Sequence, residues 1–398
     1  MKNNSFLLRH VSVVNHDFTM DDAFILVEEN KIKAVGYENN IEQELSLEEQ
    51  QIPVQHQVKP GTRLVPGMID MHIHGTSNSD TMDATPEALE VIAGALPAEG
   101  TTSFLATTLT SNEEAITNSL QNAAAVRKGK QYKGAELLGI HLEGPFFSEE
   151  KAGAQPREFL RDADVDLFQK WQEAADGLIR LVSLDPERDR GHRLIRYLRE
   201  TGVIVSAGHS NAGIEQITEA VHQGVSRVTH LYNGMSGLNH REPGLAAAAL
   251  LNKHLQAEII ADAIHVHPAM VKLAYEMKGA SGLTMITDSI RAKCMKNVSF
   301  KLGGQEVIME GAKPLLPDGT LAGSVLKMNE AMRNLMTFTK CLPEEAVAMT
   351  SWNAARELGE DHRKGRIAPR MDADFTLLND SFEVEKTWCM GTLAYDKE

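Results

Sequence analysis

The stretch Arg63-Leu-Val-Pro-Gly-Met-Ile-Asp-Met-His-Ile-His-Gly75 runs an apolar segment into two imidazoles one residue apart, His72 and His74. Residues i and i+2 of an extended segment share a face, so this text reads as a β-strand that delivers two metal ligands at its C-terminal end. His-x-His pairs also occur by chance on surfaces, and the text downstream decides between the two.

Beyond Pro60-Gly61 the chain alternates short apolar runs with longer amphipathic stretches, the pattern of repeated βα units. The runs are Leu64 to His74, Thr102 to Thr107, Leu137 to Glu143, Ile179 to Leu184, Val203 to His209, Arg227 to His230, Ala257 to Asp262, and Leu283 to Asp288. Eight is the number that closes a parallel barrel. Helical spacing of apolar residues separates them, as in Pro86 to Glu99, Asn112 to Lys128, His192 to Glu200, Ile214 to His222 and Pro268 to Lys278. The expected fold is therefore α/β, a (β/α)8 TIM-like barrel over residues 61–360. β-like text lies outside it, in Phe6 to Val14 and Phe24 to Val35 before Val58, and from Lys364 through Tyr395. These pieces predict a small β-sandwich domain built from both chain ends, residues 1–60 and 361–398. A further β segment, about residues 298–320, includes Val298 to Ile308 and the turn Leu316-Pro-Asp-Gly319; it reads either as an extension of the small domain or as an insertion. Two helices follow, Val325 to Lys340 and Pro343 to Leu358, and Met328, Met332 and Met336 recur at core-packing spacing.

Composition narrows the function classes. The chain has 398 residues, 42% hydrophobic, which is ample for a barrel core. A net charge of -15 argues against nucleic acid as a partner, since phosphate backbones select clustered Lys and Arg. The three cysteines, Cys294, Cys341 and Cys389, have neither zinc spacing nor an even disulfide count. The first residues lack an apolar signal core, and no stretch approaches 18 apolar residues without charge. These features predict a cytoplasmic protein that does not enter a membrane.

Candidate ligands recur at the strand ends: His72 and His74 after the first, Glu143 after the third, His209 after the fifth, His230 after the sixth and Asp288 after the eighth. Barrel active sites lie at the C-terminal face, so one mouth receives all six. Imidazole and carboxylate without thiolate suit a divalent transition metal, namely Zn, Fe, Mn or Co, in an open catalytic site. Asp288, in Thr287-Asp288-Ser289, reads as a ligand, as a carrier of protons, or as both. His222, His254, His267 and His362 fall outside the strand-end pattern and read as surface histidines.

These motifs resemble the amidohydrolase superfamily and, more narrowly, its N-acetylglucosamine-6-phosphate deacetylase branch. The segments that carry the resemblance are Pro66 to Gly75, His141-Leu-Glu-Gly-Pro-Phe146, Ala207-Gly-His-Ser210, Thr229-His-Leu-Tyr-Asn233 with Met235, Asp262 to His265, Thr287-Asp288 and Leu321-Ala-Gly-Ser324. The resemblance implies Glu143, His209 and His230 around a principal metal and Asp288 as the catalytic acid/base. With His72 and His74 intact it implies one or two ions per chain. It also implies a phosphorylated amino-sugar substrate contacted by Ala154, Gln155, Asn233, Gly234, Arg241, Ala263, Ile264, His265, Leu321, Ala322 and Gly323. A homodimer is implied too, with Arg241 reaching the neighbouring active site. An anion is well served by Arg241 and His265.

Two departures stand out. Ala263 stands where similar sequences often have Gly, and Gln155 where some have a histidine. A glutamine amide donates a hydrogen bond to an acetyl carbonyl but does not become cationic. The expected reaction is metal-dependent removal of acetate from N-acetyl-D-glucosamine 6-phosphate. Its rivals are the galactosamine isomer, a cyclic-amide hydrolase or isoaspartyl dipeptidase, and a metal-free scaffold. Glu143 disfavours the cyclic-amide class, which commonly has a carboxylated lysine at that strand end.

Overall fold

Each apolar run pairs in parallel with the one before it, because a helix long enough to cross back lies between them. In the computed structural model, which describes residues 5–57, 61–129, 133–295 and 300–397, the barrel strands follow in sequence order. They are Met68–Ile73, Thr101–Thr107, Glu136–Glu143, Ile179–Leu184, Ile204–Ala207, Arg227–Val228, Gln256–Ile259 and Leu283–Met285. The expected segment limits at Val58, Pro60 and Val298, and residues 1–4 and 398 of the expected small domain, lie outside the described residues.

The eighth strand meets the first only at the rim. The Asp288 N–H donates to the His72 carbonyl at 2.8 Å, and the N–H groups of His74 and Gly75 donate to the Ser289 carbonyl at 2.9 and 3.0 Å. Below this seam Thr287 Oγ1 donates to Asp70 Oδ2 at 2.5 Å. The barrel is thus fastened by the same backbone that carries His72, His74 and Asp288.

The opening stretch divides differently from its reading as one strand. Arg63–Pro66 belongs to the terminal sheet and Met68–Ile73 to the barrel, with Gly67 between them. A Cβ at Gly67 would lie 2.0 to 2.7 Å from side-chain atoms of Thr102, so only glycine lets the chain turn from one sheet into the other there. Several strands also end earlier than the apolar runs suggest. His209, His230 and Asp288 have φ of 47°, 31° and 48°, a left-handed conformation that takes each ligand out of the extended ladder.

Both chain ends build one separate sheet in which Ser5–Val14 pairs with Thr19–Glu28 and Arg63–Pro66, which in turn pairs with Phe375–Leu378. Phe6 and Trp388 stand three strand spacings apart along this sheet, at least roughly 14 Å if it were flat. Their rings are 6.1 Å apart, so the sheet curls until its halves face each other around Phe6, Phe375 and Trp388, as the expected sandwich requires. The β segment after the eighth strand is an insertion: Phe300–Leu302, Gln305–Glu310 and Lys313–Leu315 form a sheet of their own. Its Leu302, Val307 and Leu316 neighbour pack with Leu109, Ile290 and Ala322 beside the barrel mouth. Among the described residues no helix is long and apolar enough to cross a membrane.

Gly67→Ala should lower stability by about 1–3 kcal/mol through overpacking, read as a reduced denaturation midpoint, and Thr102→Ala in the same chain should restore part of it. An unchanged midpoint would place the strand switch elsewhere.

Candidate functional site

Strand ends of the barrel bring six side chains together. Glu143 Oε1 lies 3.3 Å from His209 Nε2, 3.3 Å from His230 Nε2 and 3.4 Å from His72 Nε2. Its Oε2 lies 3.2 Å from His74 Nε2. Asp288 Oδ1 is 3.4 Å from His72 Nε2 and 3.2 Å from His74 Nε2. Two ligand sets result, Glu143/His209/His230 and His72/His74/Asp288, with the Glu143 carboxylate reaching both.

The proton positions show what the first set is built to hold. His209 Nδ1 faces the Lys151 carbonyl at 2.8 Å and His230 Nδ1 faces the Asn233 carbonyl at 3.1 Å. A carbonyl only accepts, so each Nδ1 carries a hydrogen, and in the neutral ring each Nε2 keeps a lone pair. Yet the two Nε2 atoms are 3.0 Å apart. Two lone pairs and a carboxylate oxygen at that spacing repel one another unless a cation or a shared proton lies between them. His72 Nε2 and His74 Nδ1 are buried with no hydrogen-bond partner among the described residues, and His72 Nε2 points between the two carboxylates. The donor set therefore fits divalent metal.

Without a cation the groups share protons among themselves. Burial disfavours a charged His74, but hydrogen bonds to Asp288 and Glu143 override it and push its pKa up to about 10. Burial likewise disfavours an ionised Asp288, and the His72 and His74 imidazoles outweigh that and keep its carboxyl below the usual range. Burial and the neighbouring His72 depress His141 to about 3, and its Nε2 lies 2.7 Å from Ser183 Oγ.

A cavity of about 210 Å³ opens above the ligands, a size for a small molecule. Of the substrate residues expected from sequence, Ala154, Gln155, Asn233, Gly234, His265, Leu321 and Gly323 line it. Gln155, expected to face an acetyl carbonyl, commits both ends of its amide within the protein: Nε2 donates to Glu143 Oε2 at 2.9 Å and Oε1 accepts from the Thr110 N–H at 2.9 Å. Asp262 Oδ2 holds His265 Nδ1 at 2.6 Å, which aims the other ring nitrogen away from the carboxylate. Arg241, Ala263, Ile264 and Ala322 are not among the lining residues. Arg241 lies on an exposed loop, Ala322 is packed against Ile290, and Ala263 has a φ of 62° that would suit the glycine of similar sequences.

Sequence reading missed Leu109, Gly153, Ile290, Leu302 and Thr320, which complete the cavity wall from loops at the barrel mouth and from the insertion. It also missed Glu258, buried beneath the ligands. The signal for Glu258 was a charge inside an otherwise apolar strand. His222, His254, His267 and His362 take no part in the cavity lining.

Comparison with known proteins agrees with this geometry. Residues 63–394 match the Amidohydrolase family. The chain is 44% identical to an N-acetylglucosamine-6-phosphate deacetylase of Bacillus subtilis (strain 168), over 98% of this chain and 97% of that protein. It is 36% identical to an N-acetylgalactosamine-6-phosphate deacetylase of Escherichia coli O157:H7, over 86% of this chain and 90% of that protein. The crystal structure of an N-acetylglucosamine-6-phosphate deacetylase from Thermotoga maritima superposes with a TM-score of 0.87 at 32% identity, covering 98% of this chain and 100% of that one.

Because ligation at His74 displaces the proton that its raised pKa retains below about pH 10, metal affinity should fall as pH is lowered. Chelator competition at pH 8 and pH 6 should show weaker retention at pH 6, and equal retention would remove His74 from the ligand set. Glu143→Ala should release metal from both sets at pH 8, measured as metal per chain.

Proposed function

The chain belongs to the amidohydrolase family, and from that premise we propose that it hydrolyses N-acetyl-D-glucosamine 6-phosphate to D-glucosamine 6-phosphate and acetate. The observation that carries the metal dependence is the pair of imidazole lone pairs from His209 and His230 facing each other at 3.0 Å beside Glu143. Two divalent ions, drawn from Zn, Fe, Mn and Co, fit the two ligand sets, since nitrogen and oxygen donors without thiolate suit these metals. When bound, such ions polarise an amide carbonyl and acidify water.

The rest is done by side chains. Asp288, beside His72 and His74, accepts a proton from the attacking water and passes it to the departing amine. Gln155 holds Glu143 in place through its amide hydrogen bond. His265, fixed by Asp262, stands at the cavity wall on the side expected to take the phosphate, and Asn233 with the backbone near Gly234, Leu321 and Gly323 lines the sugar site. Arg241 serves the phosphate of a neighbouring subunit in a homodimer, a role supported by its place on an exposed loop outside its own cavity. The three cysteines are unpaired, which supports a reducing cytoplasm. A second reading, the galacto epimer as preferred substrate, is favoured by the 36% identity to an N-acetylgalactosamine-6-phosphate deacetylase.

Acetate release from both N-acetylhexosamine 6-phosphates and from the unphosphorylated sugars should be fastest with the gluco 6-phosphate. A faster galacto rate selects the second reading, and equal rates without phosphate discard the anion role of Arg241 and His265. Asp288→Asn should lower kcat on the order of 100- to 10,000-fold while the Glu143/His209/His230 set still holds its ion; retained turnover would remove Asp288 from proton transfer.

A further inference from the structure

Beneath the ligands a fully buried carboxylate, Glu258 on the strand Gln256–Ile259, contacts both sets without lining the cavity. Its Oε2 faces His72 Nδ1 at 3.0 Å and accepts from the His230 backbone N–H at 3.1 Å. Its own carbonyl accepts from the Leu231 N–H at 2.8 Å. On its other side Oε1 accepts from Arg227 Nε at 3.0 Å, and Arg227, fully buried, pairs in turn with Glu357. Arg227 opens its strand and Thr284 is the second residue of Leu283–Met285, and Glu357 Oε1 takes the Thr284 hydroxyl at 3.2 Å. A charged column therefore runs from the floor of the barrel up to His72.

An isolated carboxylate in such an interior is costly, and Arg227 offsets most of that cost while leaving one carboxylate oxygen for His72. The four ligand histidines are oriented by unlike means. Backbone carbonyls hold the Nδ1 atoms of His209 and His230, the His74 Nδ1 has no hydrogen-bond partner, and a charged carboxylate holds that of His72. A carboxylate partner fixes the tautomer and increases the basicity of the opposite nitrogen more than a carbonyl does. The opposite nitrogen of His72 is the one that points between Glu143 and Asp288.

We propose that Glu258 is a positioning residue for the second ion, holding His72 as the Nδ1–H tautomer with Nε2 aimed at the His72/His74/Asp288 set. The occupancy of that set then depends on Glu258 through the imidazole itself, whereas the Glu143/His209/His230 set meets Glu258 only at the His230 backbone N–H and should depend on it much less. This rests on the two-ion reading above.

Zinc content per chain, measured after dialysis against graded chelator, separates the cases. Wild-type protein should hold two ions. Glu258→Gln, whose amide cannot serve both the His72 and Arg227 donors, should keep one ion and bind the other on the order of 10- to 100-fold more weakly. His72→Ala should resemble it, and the double variant should lose nothing further, because both changes remove one interaction. Unaltered affinity for both ions in Glu258→Gln overturns the proposal, as does equal weakening of both with a native circular dichroism spectrum. A single ion in the wild type overturns the two-ion reading itself and this inference with it. If Glu258→Gln does not fold, Glu258→Asp keeps the charge beside Arg227 but shortens the reach to His72; its second ion should weaken while the first is retained, and an unchanged second ion overturns the proposal.

Discussion

Imidazole nitrogens from four histidines lie within 3.4 Å of the Glu143 carboxylate, and this crowding is the constraint on which the rest of the molecule depends. Buried groups at such spacing are satisfied by a bound cation or, without one, by protons shared among them. To assemble them, strands one, three, five, six and eight must end at one level, and the closed sheet provides that level. The seam between strands eight and one is made of the Asp288, Ser289, His72 and His74 backbone itself. Closure of the barrel and assembly of the centre are therefore one event.

The centre carries conformational strain. His209, His230 and Asp288 occupy left-handed backbone, which costs a residue with a Cβ roughly 1–2 kcal/mol. The surroundings over-determine these residues: Ser148 N–H donates to the His209 carbonyl, Asn233 N–H to the His230 carbonyl, and Ser324 N–H to the Asp288 carbonyl, at 3.0, 2.9 and 2.8 Å. A turn at the ligand itself points its side chain across the mouth instead of along the strand. Strain of this sort persists where geometry at a site matters more than local stability.

Much of this was legible along the chain, and the failures share a cause. The strand-end positions of His72, His74, Glu143, His209, His230 and Asp288 follow from a period of two and from apolar runs, both local quantities. The division of Leu64 to His74 between two sheets was not visible, because Gly67 is required by Thr102, a residue on another strand. That the Gln155 amide is held by Glu143 and Thr110 at the cavity wall was not visible either. Glu258 and Arg227 are charges inside strands whose purpose depends on each other and on Glu357, 99 positions beyond Glu258. Leu302 and Thr320 belong to an insertion whose side of the barrel is set by packing against Leu109 and Ile290.

The sequence by itself determined the fold class and which imidazoles and carboxylates stand at the strand ends, since hydrophobic period and residue chemistry are written residue by residue. Only the tertiary structure decided which oxygen of Glu143 serves which histidine, which ring nitrogens keep their hydrogens, and how one buried carboxylate comes to lie under His72. Those are properties of distances between atoms on different strands, and such distances exist only once the sheet has closed.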